Sequence, residues 1–500
     1  MKRSERTRRG FLSNAGMIVG AGLTSGKFGL VPGFFSGANS GIEVVSADKA
    51  ADYTLRIAAL AVEIGRKKIV SAVTYNGQFP GPLLRFSEGL PVVVDVHNDT
   101  DTPEQLHWHG QFVSTDVDGA AEEGTPFIAV HSMRRLRFTP KPAGLRFYHT
   151  HNRAGANLRE GQYSAQVGAV YIERKNELGN FDREVFLLLK EFEPTLSQGG
   201  DMAQDFLAPA ETVKELKDSG EGAMKASLAK GTPHGYEVGY RHFTINGKML
   251  GHGEPIRVKQ GERVLFHVVN GSATEIRSLA LPGHTFRVVA LDGNPVPMEA
   301  RVPALWLGTA ERISAIVEMR HPGVWIMGDL ADDDRGHGMG IVVEYSGHSG
   351  RAQWIKPAAF HWNYLRFGKT SAAQEADEVI EMTFAKRNAA ENGFNQWTIN
   401  DVAFAMEQPA AVHLRHGRRY RLKMRNASDD IHPIHLHRHS FELTKFGGKA
   451  TSGVMKDVVM VGGYQEVEVD FLADNPGLTL FHCHQQLHMD FGFMSLFDYV

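Results

Sequence analysis

Three apolar segments that each end in asparagine, Val92–Asn98, Val264–Asn270 and Tyr420–Asn426, divide the chain into similar thirds. After each, roughly 45 to 55 residues on, a Pro/Gly turn leads into a second apolar run: Gly144–Tyr148, Gly323–Met327 and Gly477–Phe481. A strand, a connection and a second strand recurring at similar offsets restrict the fold to a tandem array of one unit. Short Val/Ile/Phe-rich runs, punctuated by 53 glycines and 21 prolines in 500 residues, make that unit a β-sandwich. The repeat predicts three sandwich domains, over 46–175, 180–347 and 372–500, with a linker from Gly347 to Lys369. Met202 to Lys230, rich in Ala, Lys, Glu and Asp, interrupts the strand pattern and reads as a short helical insertion or surface loop.

Aligning the copies isolates the chemistry. Nine and eleven residues after the asparagine stand His107 and His109 in the first copy, Leu279 and Leu281 in the second, and His435 and His437 in the third. Five and seven residues after the turn glycine stand His149 and His151, then Gly328 and Leu330, then His482 and His484. Alternate residues of a strand face one side, so each His-x-His pair sends two imidazoles into a single space. One such pair alone reads as ordinary surface or core histidines. Four pairs in register, in a chain with 24 histidines and one cysteine, supply eight imidazoles and point to metal.

The single cysteine excludes an internal disulfide framework. It lies in His482-Cys483-His484, where strand alternation turns its sulfur away from both neighbouring rings. His432 and His488 are placed to join it. One thiolate and two imidazoles form the trigonal set of a blue-copper site. A structural zinc site closes four ligands locally and leaves the eight paired imidazoles without a purpose.

A net charge of -3, from 54 Lys+Arg against 57 Asp+Glu, gives no reason to expect nucleic acid or anionic lipid as a partner. No segment has the length and purity of a stable membrane span. Residues 1–45 read as an export signal and leader, because Lys2, Arg3, Arg6, Arg8 and Arg9 precede a weakly apolar run from Ala15 to Leu23. Small residues at Ser36 to Ala38 offer a cleavage site. Thr7-Arg8-Arg9-Gly10-Phe11-Leu12 resembles the twin-arginine motif of bacterial proteins exported already folded. That resemblance implies the Tat export machinery as a partner of the precursor, and a periplasmic or secreted protein.

Four motifs, His107-Trp108-His109-Gly110, His149-Thr150-His151, His432-Pro433-Ile434-His435-Leu436-His437 and His482-Cys483-His484-Gln485-Gln486-Leu487-His488, carry a family resemblance. The chain resembles the three-domain multicopper oxidases, laccases in particular, over its whole mature length. The resemblance implies an all-β fold of three consecutive cupredoxin-like Greek-key β-sandwich domains, with copper ligands in the first and third. It implies four copper ions per chain: type 1 copper on His432, Cys483 and His488, and type 2 copper on His107 and His435. The type 3 pair falls to His109, His149 and His484 for one ion and His151, His437 and His482 for the other. It further implies a small-molecule donor, phenolic or related, oxidised one electron at a time while O2 takes up four electrons to become water. Electrons would enter through the edge of His488 and pass along Cys483 to His482 and His484. Asp118, nine residues after His109, matches the position of the family's proton-supplying acid, with Asp116 as the alternative.

Two departures from the family pattern bear on potential and substrate. Phe493 stands where many members carry a weak axial methionine, so a high type 1 potential is expected, with Met494 able to substitute only if the loop slips. Met489 replaces an acid found in many bacterial members, while Asp490 follows the pattern of high-potential fungal enzymes. The 17 methionines form no dense cluster, which favours a phenol oxidase over a cuprous or other metal-ion oxidase for copper tolerance. Bilirubin-oxidase-like or Mn(II)-oxidising specificity is a further reading. A non-enzymatic periplasmic relative of the fold should lack ligands, and no ligand is missing. With every ligand role filled, His413, His416 and His439 read as ordinary polar residues.

Overall fold

Each repeat asparagine is fully buried at the end of its strand and does the same work three times. Asn98 donates its amide to the carbonyls of Thr102 and Ile128 at 2.8 and 3.0 Å. Asn270 donates to Glu275 and Leu307 at 2.9 and 3.0 Å, and Asn426 to Asp430 and Gly462 at 2.7 and 3.0 Å. Each side-chain oxygen accepts the backbone N–H two residues on, at Thr100, Ser272 and Ser428. The asparagine therefore ends one strand and shapes the turn that aims the chain at the next.

These contacts come from a computed structural model that describes residues 50–175, 178–197, 235–371 and 373–500. The expected leader over 1–45 and the stretch from Met202 to Lys230 lie outside the described residues. Among the described residues, six sheets pair into three sandwiches. The first sandwich sets Lys68–Tyr75, Tyr53–Gly65, Val92–Asn98 and Ser132–Phe138 against Gly81–Ser87, Val167–Glu173, Gly144–His149 and His107–His109. The second joins sheets of six and five strands between Arg183 and Tyr345, and the third repeats that count between Glu378 and Tyr499. In every sandwich the repeat strand runs parallel to the long strand that opens its unit. Its other neighbour, Ser132–Phe138, Arg312–Glu318 or Glu466–Leu472, is antiparallel.

Side-chain alternation decides which residues pack and which bind. In Glu378–Glu391, Met382 and Phe384 are buried while Glu381 and Thr383 between and beside them are exposed. In the first sandwich Trp108 and Tyr148 turn into the core, Trp108 packing on Phe138 with centroids 4.8 Å apart. Their strand neighbours His107, His109 and His149 consequently leave by the opposite face. The middle sandwich has Leu279 and Leu281 at the matching positions, and both fill its core. Among the described residues, no helix is long and apolar enough to cross a membrane.

Candidate metal centre

The two His-x-His strands of the first sandwich pair directly, His107 opposite His149 and His109 opposite Phe147. In the third, His435 lies opposite His482 and Leu436 opposite Phe481. The two sets meet face to face across the domain boundary. His107 stacks on His437 with centroids 4.1 Å apart, and His109 on His435 at 3.8 Å. All eight imidazoles are buried and fall into three groups, within each of which the ligand atoms lie within 4.8 Å of one another: His107, His109 and His435; His109, His149 and His484; His151, His437 and His482, the first two sharing His109.

Hydrogen bonds outside the cluster leave one ring nitrogen of most of these histidines free to face inward. Nδ1 is held by a carbonyl oxygen in His107 (Asp118, 2.9 Å), His149 (Thr150, 2.7 Å), His435 (Asp457, 2.6 Å) and His482 (Cys483, 2.9 Å). Nε2 of His107, His149 and His435 is buried with no partner. His109 is reversed: Nε2 meets the Asp457 carboxylate at 3.1 Å and Nδ1 is the buried atom without a partner. Neither nitrogen of His151 or His484 has a hydrogen-bond partner. A buried polar atom without a partner costs about 1–3 kcal/mol, so a cluster of them aimed at one space fits a bound cation. Desolvation holds His109, His149, His435, His437, His482 and His484 well below their ordinary pKa, in the neutral form that binds metal.

A second group lies across the same strand. His432, Cys483 and His488 are buried and place their ligand atoms within 4.8 Å of one another. The sulfur is 3.4 Å from His488 Nδ1 and 3.7 Å from His432 Nδ1, and the two Nδ1 atoms are 3.1 Å apart. Ser428 Oγ, 3.0 Å from His432 Nε2, occupies the other nitrogen of that ring. Burial pushes the Cys483 thiol well up, so a thiolate here needs a cation beside it. Phe493 closes this group from the side, its ring 4.6 Å from that of His432 and 4.9 Å from that of Phe384. Met494 does not substitute for it. It packs in a separate cluster with Met489, Leu480 and Ala120.

One expectation about His488 changes. Its edge is not presented to solvent: the ring is fully buried, with Trp397 stacked on it at 4.0 Å and 29°. The Trp397 indole donates to Asp430 Oδ2 at 3.0 Å, and Lys386 bridges Asp429 and Asp430 behind it.

Asp118 and Asp116 separate cleanly. Asp118 is fully buried, with Oδ2 2.8 Å from His437 Nδ1 and 3.2 Å from His107 Nδ1. Gly119, at φ 95°, follows it where any Cβ would run into the Leu106 carbonyl, so glycine is what lets the loop lie against His107. Asp116 is exposed and hydrogen-bonded to Ser114, which removes it from the site. The 3-10 turn Ala121–Glu123 adds two buried acids that sequence reasoning misses. Glu123 Oε1 lies 3.4 Å from His437 Nδ1 and accepts the Leu480 N–H at 2.6 Å, while Glu122 Oε2 is 3.6 Å from His151 Nδ1. Desolvation, then the neighbouring Asp118 charge, push the Glu123 carboxyl well up. Desolvation works against ionised Asp118 too, but His107 and hydrogen bonds hold it below its ordinary value.

Asp490, His439 and His413 have structural partners. Asp490 accepts the Ala154 and Gly155 N–H groups at 3.0 and 2.8 Å, tying the helix Gln486–Asp490 to the first domain, and burial pushes it up to about 6. His439 is buried between the His437 carbonyl and the Tyr499 hydroxyl. His413 pairs with Asp498 at the surface, and His416 is exposed.

Models of the multicopper oxidase family match residues 57–177, 209–346 and 376–500. The multicopper oxidase MmcO of Mycobacterium tuberculosis is 27% identical over 99% of this chain and 97% of its own length. Copper resistance protein A of Pseudomonas syringae pv. tomato is 28% identical over 63% of this chain and 52% of its own. Among solved structures, Fet3p, described as a multicopper oxidase that functions in iron import, superposes with a TM-score of 0.72 at 17% identity, covering 89% of this chain and 90% of that one.

Proposed function

As the chain belongs to the multicopper oxidases, and is therefore an oxidoreductase, we propose that it is a laccase-like member coupling one-electron oxidation of phenolic or related donors to reduction of O2 to water. The observation that carries this reading is the meeting of four His-x-His strands on one side of Cys483 and the His432–Cys483–His488 group on the other. His432, Cys483 and His488 would hold type 1 copper, and His107 and His435 type 2. His109, His149 and His484 would hold one type 3 ion and His151, His437 and His482 the other. Copper bound there would supply one-electron acceptors and the place where O2 receives four electrons.

The chain's own residues account for the rest. Cys483 is bonded through the backbone to both His482 and His484, and its carbonyl accepts from His482 Nδ1, so the two groups are joined by the shortest covalent route available. Glu123, whose carboxyl burial pushes well up, would supply a proton beside His437, and Asp118, held below its ordinary value, would be the acceptor that hands protons on. Buried Phe493 and Trp397 keep water from the cysteine's side of the strand.

Export through the twin-arginine machinery to the periplasm or the medium belongs to this proposal and is supported by Arg8 and Arg9 in their motif. A second reading, oxidation of cuprous ion, is favoured by the likeness to a protein named for copper resistance. Copper analysis of the loaded protein, with O2 uptake on a phenol and on Cu(I) in parallel, tests both. Four coppers with phenol-driven uptake support the laccase-like reading; uptake on Cu(I) alone replaces it; a protein that takes up no copper ends both.

A further inference from the structure

Among the described residues the middle domain brings no imidazole to the cluster, yet it reaches the cluster through one buried carboxylate. Asp457 follows the strand Lys449–Lys456 of the third domain and is fully buried. Its Oδ1 accepts from Arg312 Nη1 at 2.6 Å and lies 3.1 Å from His109 Nε2; its Oδ2 accepts from Arg312 Nη2 at 2.6 Å and from Arg146 at 3.2 Å. Arg312 opens the middle-domain strand Arg312–Glu318, so the fork grips a third-domain acid that in turn grips a first-domain histidine.

Arg312 is itself held in place. Its backbone N–H donates to Asp292 Oδ1 at 2.9 Å, and Asp292 Oδ2 accepts the N–H groups of Asp457 and Val458 at 3.3 and 3.1 Å. Lys456 bridges Asp292 and Glu311, both at 2.9 Å. Both partners of the bidentate pair are thus fixed from two sides, and the planar guanidinium leaves the Asp457 carboxylate one orientation.

That orientation has a consequence for two ligands. A carboxylate at Nε2 fixes the His109 proton there and turns the Nδ1 lone pair inward, opposite to His107, His149, His435 and His482, which are held through Nδ1. The Asp457 carbonyl accepts from His435 Nδ1 at 2.6 Å, so one residue sets both. We propose that Arg312 is a positioning residue for the trinuclear copper site: by clamping Asp457 it selects Nδ1 as the ligating atom of His109 and aims His435, so the domain without ligands dictates ligand geometry. The proposal rests on the multicopper reading above.

The test compares parent, Arg312→Lys, Arg312→Gln and the double variant Arg312→Gln/Asp457→Asn, in which neither charge of the pair is left alone. Each is loaded with copper and read by metal content, the blue type 1 band, the type 3 near-ultraviolet band and chelator competition. Arg312→Lys keeps the charge but loses the fork. Expected is an intact blue band, a weakened type 3 band and copper affinity of the trinuclear site lowered about 10–100-fold, with the double variant no worse than Arg312→Gln. Far-ultraviolet circular dichroism and the thermal midpoint of the metal-free protein serve as the check on folding, and the double variant replaces any single variant that fails it. A parental type 3 band and parental affinity in all folded variants would overturn the proposal, as would loss confined to type 1. A parent chain that takes up no copper would instead overturn the multicopper reading itself.

Discussion

Trp397 lies face to face over His488, ring centroids 4.0 Å apart and planes inclined by 29°. Both rings are fully buried, so neither the indole nor the histidine beneath it offers its face to solvent. The same stack is an optical probe, because copper held at His488 would sit within one ring of a tryptophan. Titrating copper into the metal-free protein is expected to quench part of the tryptophan emission, and Trp397→Phe should remove that part. The variant should fold with a loss of about 1–3 kcal/mol, since Asp430 keeps Lys386 but loses the indole donor. Quenching of equal size in Trp397→Phe would show that copper does not bind beside this ring.

The colour of the loaded protein should depend on one atom. Cys483 Sγ is the sole sulfur ligand candidate of the His432 and His488 group, and its oxygen analogue does not support thiolate-to-copper charge transfer. Cys483→Ser should lose the blue band and about one of about four coppers while keeping the type 3 band. A blue Cys483→Ser protein, or one that loses every copper together, would contradict the separation into two sites.

The histidine clusters were legible because strand periodicity is local: two residues apart on one strand means one face, and the repeat supplied an internal control in Leu279 and Leu281. The second layer was not legible. Asp457 meets His109 across 348 residues and Arg312 across 145, and nothing in the spacing of either announces the contact. Glu122 and Glu123 lie in a 3-10 turn, outside the strand register that identified the histidines. Trp397 belongs to an otherwise ordinary apolar strand, Phe394–Ile399, and only packing reveals that it covers His488. Asp118 could be ranked above Asp116 only by resemblance; burial and the tight Gly119 turn separate them physically.

Under the proposed function, Asp118 and Glu123 would divide one task. Both approach His437, but against desolvation His107 and hydrogen bonds hold the Asp118 carboxyl below its ordinary value, while burial and the Asp118 charge push the Glu123 carboxyl well up. Asp118→Asn and Glu123→Gln should each retain full copper and normal type 1 reduction by donor, yet slow reoxidation by O2 about 100-fold or more, the usual weight of a positioned acid or base. Stopped-flow recovery of the blue band after a pulse of O2 measures this. Parental recovery in both variants across the working pH range would transfer proton supply to water alone.

Phe493 offers the sharpest test of a coordination argument. Its ring stands 4.6 Å from His432, and its backbone frames the site, accepting from Cys483 N–H at 3.2 Å and donating to the His488 carbonyl at 3.0 Å. A phenyl ring cannot donate to copper and also excludes water, and both effects favour Cu(I) over Cu(II), so the type 1 potential should be high. Phe493→Met keeps an apolar side chain of similar reach but adds a thioether. The potential should fall, slowing oxidation of high-potential phenols much more than of easily oxidised ones. Redox titration of parent and variant decides the matter: an unchanged potential would mean that the side chain at 493 does not face the copper, and Met494, packed against Met489 on the far side of the strand, offers no replacement.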